Sequence, residues 1–414
     1  MGPAEKMAAS AQAAARKIAT LTTETKNDCL RDLADRIEKN TADIRQANAQ
    51  DLNAADQNGL GEAKKKRLAL SDQAVRQMAD GLRQVSDLED PVGAVTKQYD
   101  VSSGLQVRKV RCPIGVIMMI YEARPNVTVD AFALCFKSGN ACILKGGREA
   151  SHSNRMLADM IAATLQAHGI APDAISLLTT SDREEIKRLL QLEQYIDLVI
   201  PRGGSSLIRF VHEHSRIPTV QHFHGVCHIF VDASADPDRA VDVCATAKTS
   251  APSTCNAAEC VLVHASVAAD FVPGLVRRLS DEGVEARGDQ VVCKLAPQAV
   301  PANDDDWGRE FLDLVLAIRV VPDFDAAVAH INQYGSNHTD AILSTDPVNQ
   351  RRFTDEVQSS CTLVNASTRF NDGFQLGLGA EIGISTSKIH AYGPMGLEEL
   401  TTQRYVVQGD WQTR

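Results

Sequence analysis

Ile114-Gly-Val-Ile-Met-Met-Ile-Tyr121 and Ala141-Cys-Ile-Leu144 are short apolar runs, each closed by a polar or glycine-bearing turn. Ile175–Leu178 and Ile196–Ile200 repeat the pattern, with helix-length segments between them. Strands alternating with helices are the signature of a mostly parallel, doubly wound α/β sheet. A second series follows in His228–Asp232, Cys260–His264, Ala317–Val321, Ala341–Ser344 and Thr362–Asn365. Two α/β domains are therefore expected, with the break near Pro218–Gly225. Ahead of them, about 90 residues read as helices: Leu30, Leu33, Ile37, Ile44 and Leu52 share a stripe, and Val75, Met78, Leu82 and Val85 form another. Pro91 and Gly93 end that layer. The run Lys64–Arg67 reads as a solvated face. Val101–Arg111 alternates in character and stands apart as a strand or hairpin, and the tail after Pro394 could pair with it.

Composition narrows the class. Among 414 residues, 43 Lys and Arg face 53 Asp and Glu, a formal charge of −10. That balance argues against a dedicated nucleic-acid binder, whose affinity rests on cations against phosphates. The longest strongly apolar run is far too short to span a bilayer. The Ala-rich start carries Glu5, Lys6, Arg16 and Lys17, so it lacks the apolar core of a signal peptide. Ten scattered cysteines without a C-x-x-C pair read as reduced thiols in a cytoplasm. Most of them, Cys135 and Cys142 included, sit in apolar runs as small hydrophobes.

Cys255 differs. It lies in Ala251-Pro-Ser-Thr-Cys-Asn-Ala-Ala-Glu259, where Pro252, Ser253 and Thr254 read as the start of a helix. A thiol at a helix N-terminus meets unpaired N–H groups and the positive end of the macrodipole, which favour thiolate. The same N–H groups could hold an oxyanion. The alternative is a capped turn with an inert cysteine. Leu144-Lys-Gly-Gly147 and Ile200-Pro-Arg-Gly-Gly-Ser-Ser206 are glycine turns after strands, suited to phosphate or serving as plain connections. Neither is G-x-G-x-x-G. His222, His224 and His228 have no supporting acidic or thiol ligand pattern, so no metal is expected. The glycine-rich Phe374–Lys388 stretch reads as a binding loop or a surface connection.

Longer motifs carry a resemblance. They are Ile120-Tyr-Glu-Ala-Arg-Pro-Asn-Val-Thr128, Lys137-Ser-Gly-Asn140, Ile143-Leu-Lys-Gly-Gly147, Ile200-Pro-Arg-Gly-Gly204, Gly225-Val-Cys-His228, Pro252-Ser-Thr-Cys-Asn256, Asn365-Ala-Ser-Thr-Arg-Phe370, Gly377-Leu-Gly-Ala-Glu381 and Pro394-Met-Gly-Leu-Glu398. Nearly end to end, the chain resembles the γ-glutamyl phosphate reductase (glutamate-5-semialdehyde dehydrogenase) family of the aldehyde dehydrogenase superfamily. The resemblance implies an aldehyde dehydrogenase-like α/β fold of two doubly wound domains plus a small β oligomerisation element. The nucleotide-binding domain would hold 1–100 and 112–222 with part of 366–391. The catalytic domain would hold 223–365, and the oligomerisation element 101–111 and 392–414.

It further implies a cytoplasmic, NADPH-dependent enzyme of proline biosynthesis, acting on a small molecule as a dimer or tetramer, without nucleic acid or membrane. Cys255 would be the nucleophile and Asn126 the side-chain oxyanion donor. Lys145, Gly146, Gly147, Pro201, Arg202, Gly203, Gly204 and Ser205 would face the cofactor, and Glu310 its nicotinamide ribose. Arg124, Arg369, Glu381 and Lys388 would meet the substrate. The segment Val220-Gln-His-Phe-His-Gly225 has no carboxylate to activate water, which fits an enzyme that protects a thioester. The family's usual Gln-Arg before Pro-Ser-Thr-Cys is Ser250-Ala251 here, and its His-Ala-Arg-Gly is His390-Ala-Tyr-Gly393; Ser206 stands where Lys or Gly is common. Arginines suit phosphate and carboxylate. Their loss leaves open a related cysteine-dependent reductase acting on another acyl phosphate or aldehyde.

Overall fold

The computed structural model describes residues 2–180, 182–220 and 223–414. His222, of the histidine pattern, and Gln221 beside it lie outside the described residues. The chain opens with α1 (Pro3–Ile18), α2 (Thr23–Lys39), α3 (Thr41–Gln57), α4 (Glu62–Leu68) and α5 (Asp72–Asp87). The first apolar stripe is shared by two helices. Asn40 closes α2 by returning its N–H to Arg36 and Glu38, and α3 starts at once. Leu30, Leu33, Ile37 and Ile44 are fully buried, as is the Val75–Met78–Leu82–Val85 face of α5. Hydroxyls of Thr22 and Ser71 cap α2 and α5. Lys64, Lys66 and Arg67 on α4 are exposed, and Lys65 pairs with Asp56 and Glu62.

The first strands are β1 (Val95–Asp100) and β2 (Gln106–Pro113), an antiparallel pair. Then come β3 (Val116–Tyr121), α6 (Asn126–Lys137), β4 (Ala141–Lys145), α7 (Ser151–Ala167), β5 (Ile175–Leu177), α8 (Arg183–Leu189), β6 (Leu198–Arg202) and α9 (Ser205–His214). Their parallel sheet has the order β5-β4-β3-β6. β3 and β4 are buried at every position, as strands covered on both faces by helices must be.

The second series is β7 (Cys227–Val231), α10 (Pro237–Thr249), β8 (Ala258–His264), α11 (Ala268–Asp281), β9 (Glu285–Gly288), α12 (Gln290–Leu295), β10 (Val300–Pro301), β11 (Val315–Val321), α13 (Phe324–Tyr334), β12 (Thr339–Leu343), α14 (Pro347–Glu356) and β13 (Cys361–Val364). These strands form a seven-stranded parallel sheet in the order β10-β9-β11-β8-β7-β12-β13. The chain ends through the pair β14 (Gly383–Ser385) and β15 (Gly393–Met395), then β16 (Thr401–Gln408), which pairs antiparallel with β2.

Two units result. One holds 2–220, 378–383 and 395–414; the other holds 223–377 and 384–394. Along the chain, the first of these divisions falls between 220 and 223. The second unit runs past the expected 365 to 377, because the 368–370 turn packs on its sheet through Asn371 and Thr339. The separate β element is also broader than expected. Residues 101–105 are the turn, and the three-stranded sheet is built from β1, β2 and β16. No helix among the described residues is long and apolar enough to cross a membrane.

Candidate active site

The expected helix after Cys255 is absent from the described structure. α10 ends at Thr249, and residues 251–257 turn directly into β8. Backbone bonds from Thr254 to Ala251 (3.2 Å) and from Ala257 to Thr254 (3.1 Å) make that turn. The Thr254 hydroxyl caps no helix. It donates to the Ala251 carbonyl at 2.8 Å and accepts from Arg369 Nη1 at 3.0 Å.

Half-buried Cys255 is held through its backbone and its neighbours. The Cys227 thiol donates to the Cys255 carbonyl (3.2 Å). Cys227 lies 3.8 Å from His338 Nδ1, which also meets the Thr339 hydroxyl at 2.7 Å. Thr339 accepts from Asn371 Nδ2, and the Asn371 carbonyl accepts from Asn256 Nδ2 (2.9 Å). That path returns to the residue after Cys255. Burial pushes the Cys227 thiol well above its ordinary pKa, so it stays a donor. Gly225 presses on the same turn: a Cβ there would stand 2.8 Å from Cys255 Cα and closer still to its carbonyl. Glu310 accepts from Gly225 N at 2.9 Å and lies 3.7 Å from His224 Nδ1. Glu310, through Gly225, and Arg369, through Thr254, thus both contact residues that border the Cys255 turn.

Behind this turn, Lys248 and Glu259 form a fully buried ion pair at 2.6 Å, with Glu259 also accepting from Leu312 N. Burial lowers the Lys248 pKa and raises that of Glu259 to about 7, each opposed by the partner's charge. Removing one member strands the other in a dry site. Lys248→Met is therefore expected to cost about 3–5 kcal/mol of stability, and Lys248→Met with Glu259→Gln to regain most of it. Thermal melting of both variants checks this, and equal melting points for the single and double variants would refute it.

Lys388 is exposed and donates to Gln358 Oε1 (2.9 Å), while the Tyr392 hydroxyl donates to the Gln358 carbonyl. The Tyr392 phenol is thus tethered at its hydroxyl. His228 is buried with Nδ1 3.2 Å from Asp340, beside Cys260 and His330. The Arg319 guanidinium donates to His330 Nδ1 at 3.0 Å, which leaves Nε2 of the neutral ring carrying the proton toward Cys260. That donor pattern does not suit a cation, and the cluster reads as core.

In the first unit, the ends of β3, β4 and β6 lie side by side, with Lys145 opposite Ile120 and Arg202 opposite Tyr121. The carboxyl ends of parallel strands are where such sheets bind ligands. Lys145 is buried, its Nζ donating to the Gly146 carbonyl at 2.5 Å; burial lowers its pKa and Glu149 opposes that. Pro201 and Arg202 end β6, Gly203 and Gly204 follow, and Ser205 opens α9. Gly204 N donates to Glu122 Oε2 at 3.2 Å. Gly146 and Gly147 face Asn154 and Glu149, where a Cβ would collide. Exposed Arg124 follows Ala123, whose φ of +36° is in the left-handed region that alanine disfavours. Glu149 steadies that residue by accepting from Ala123 N at 2.7 Å. Asn126 opens α6 and donates from Nδ2 to Asp130 at 2.9 Å. Glu381 is half-buried, ahead of β14. Glu122, Asp130, Glu149 and Gly225 were not singled out from sequence, because each acts through a partner distant in the chain or on a shared face.

The model of the aldehyde dehydrogenase family matches residues 3–297. The chain is 51% identical to γ-glutamyl phosphate reductase of Geobacter metallireducens, over 99% of this chain and 98% of that one. It is 51% identical to the Salinibacter ruber γ-glutamyl phosphate reductase, over 99% and 94%. The crystal structure of γ-glutamyl phosphate reductase from Thermotoga maritima superposes with a TM-score of 0.98 at 41% identity, covering both chains fully. The chain belongs to the aldehyde dehydrogenase family, in its γ-glutamyl phosphate reductase branch.

Proposed function

We propose that the chain reduces L-glutamate 5-phosphate to L-glutamate 5-semialdehyde and phosphate, as a cytoplasmic step of proline biosynthesis. The reading is carried by half-buried Cys255 on its braced turn, in a chain sharing half its residues with γ-glutamyl phosphate reductases. The Cys255 thiolate attacks the acyl carbon, phosphate leaves, and a thioester joins the acyl group to sulfur. NADPH, when bound, supplies the hydride. Asn126, whose Nδ2 has one N–H on Asp130, would be the side-chain donor to the oxyanion. Collapse expels the thiolate and frees the aldehyde.

The nicotinamide cofactor family members use suits the first unit, whose glycine turns follow the carboxyl ends of the parallel strands β4 and β6. Lys145, Gly146, Gly147 and Pro201–Ser205 would line its phosphates, with Arg202 supplying charge, and Glu310 would take the ribose. Arg124 and Lys388 would meet the substrate's anionic groups and Glu381 its ammonium. The sheet of β1, β2 and β16, with Tyr405 and Val407 exposed, would carry self-association.

The assay supplies glutamate-5-semialdehyde, NADP and phosphate and follows reduced cofactor by absorbance. Phosphate-dependent turnover is expected; turnover with other aldehydes alone would move the chain to a different acyl substrate. A pH dependence follows too. Burial raises the Asp130 carboxyl to about 6, against the pull of Asn126 and Arg202. Above that pH it is an acceptor only and fixes which end of the Asn126 amide faces it; below, it gains a donor and the amide can turn. kcat is expected to fall through about pH 6 on the acid side. In Asp130→Asn it should be lower by about 10-fold and lack that limb. A limb unchanged in the variant would assign it elsewhere.

A further inference from the structure

The turn that carries Cys255 opens no helix of its own, and the helix before it ends at Thr249. Carbonyls crowd that end, and their field disfavours a thiolate. A fixed positive charge at the turn would favour the thiolate. The carboxylates around the turn do not supply it. Glu259 is matched by Lys248, and Glu310 is held by Gly225 N near His224. Cys227 is a donor thiol, and His338 takes the Thr339 hydroxyl on Nδ1.

Arg369 is placed differently. Nη1 donates at once to Thr254 Oγ1 and to Asn256 Oδ1, the side chains on either side of Cys255. Both partners are neutral, so neither contact cancels the guanidinium charge. The Arg369 carbonyl accepts from Asn256 Nδ2 at 3.5 Å, which ties the two segments a second time. Buried Nε has no hydrogen-bond partner, so the head is held by its clamp and not by a carboxylate. Consecutive residues are only about 3.8 Å apart. A charge bonded to both neighbours of Cys255 therefore sits on the turn that carries its sulfur.

We propose that Arg369 is the positioning residue of the nucleophile: it clamps Thr254 and Asn256 and lends Cys255 the fixed positive charge that keeps it a thiolate. The clamp sets where the sulfur stands, and the charge sets how much of it is ionised. This builds on the reading that Cys255 is the nucleophile, but it is tested without the substrate. Iodoacetamide alkylates thiolate and not thiol. The alkylation rate of Cys255, read by mass spectrometry of its peptide in the full chain, therefore reports ionisation against pH. Wild type, Arg369→Gln and Arg369→Lys are compared, with thermal melting to establish that each is folded. Glutamine can still bond Thr254 and Asn256 but carries no charge. The pH of half-maximal alkylation is expected to rise by about one unit in Arg369→Gln. Arg369→Lys, which keeps the charge and a nitrogen able to donate to both partners, should recover at least half of that shift. An alkylation profile in Arg369→Gln that overlays wild type overturns the proposal. So does an equal shift in Arg369→Lys, which would make geometry and not charge the cause. A wild type that alkylates readily but turns over no γ-glutamyl phosphate would sink the substrate reading and leave the Arg369 result to stand or fall alone.

Discussion

Cys255→Ser loses essentially all reductase activity while the protein keeps its fold. Serine is close to isosteric, and the turn it joins is held by Cys227, Thr254, Asn256 and Gly225, none of which bonds through the cysteine side chain. A serine hydroxyl does not ionise in water near neutral pH, so attack on the acyl carbon stops. The expected loss is about 10³-fold or more in kcat. Cofactor binding, assigned to the other unit, should be unchanged. Phosphate-dependent cofactor reduction and cofactor-fluorescence titration measure both. A serine variant with a few per cent of the wild-type rate would refute the thioester route.

Gly225→Ala has the second-largest effect. The glycine is not in the left-handed region, so its requirement is one of space. The added methyl would fall within 2.8 Å of Cys255 Cα and still nearer its carbonyl, the atom that Cys227 holds. Backbone must give way, and the backbone that gives carries the nucleophile. Displacing a reacting atom by about 1 Å costs on the order of 10²-fold in rate. kcat should fall by that factor, with KM for NADPH within about twofold of wild type, since positioning and not binding is lost. An unaltered kcat in a folded Gly225→Ala protein would mean that the turn adjusts without moving the sulfur.

What the sequence made legible was set by how locally each feature is encoded. β3, β4 and β7 are apolar at nearly every position, and their runs alone place them inside parallel sheets. β9 and β10 gave no such signal, since Glu285, Arg287 and Pro301 interrupt them and pairing along β11 and with each other makes them strands. Cys255 was found for a reason that does not hold. Ser253 and Thr254 look like caps, yet the Thr254 hydroxyl serves Ala251 and Arg369, a residue 115 positions away. A distant partner overrode the local propensity. Arg369 was marked as a substrate residue because it is an arginine in a matching motif; its role at the turn depends on contacts that no one-dimensional reading contains. Asp130 shares a helix face with Asn126 at i, i+4, a spacing visible in sequence. It carried no weight there because an acid in an apolar helix reads as an exposed break in the stripe.

The last twenty residues complete the first unit, and β2 has no partner on its β16 side until they arrive. During synthesis that strand therefore waits as an open edge, able to pair with another nascent copy, while everything between 114 and 394 is made. Shortening the chain from its carboxyl end, or fusing a bulky tag directly after Gln408, would prolong that exposure. The yield of soluble protein, more than its catalytic constants, is where such a change would first be felt.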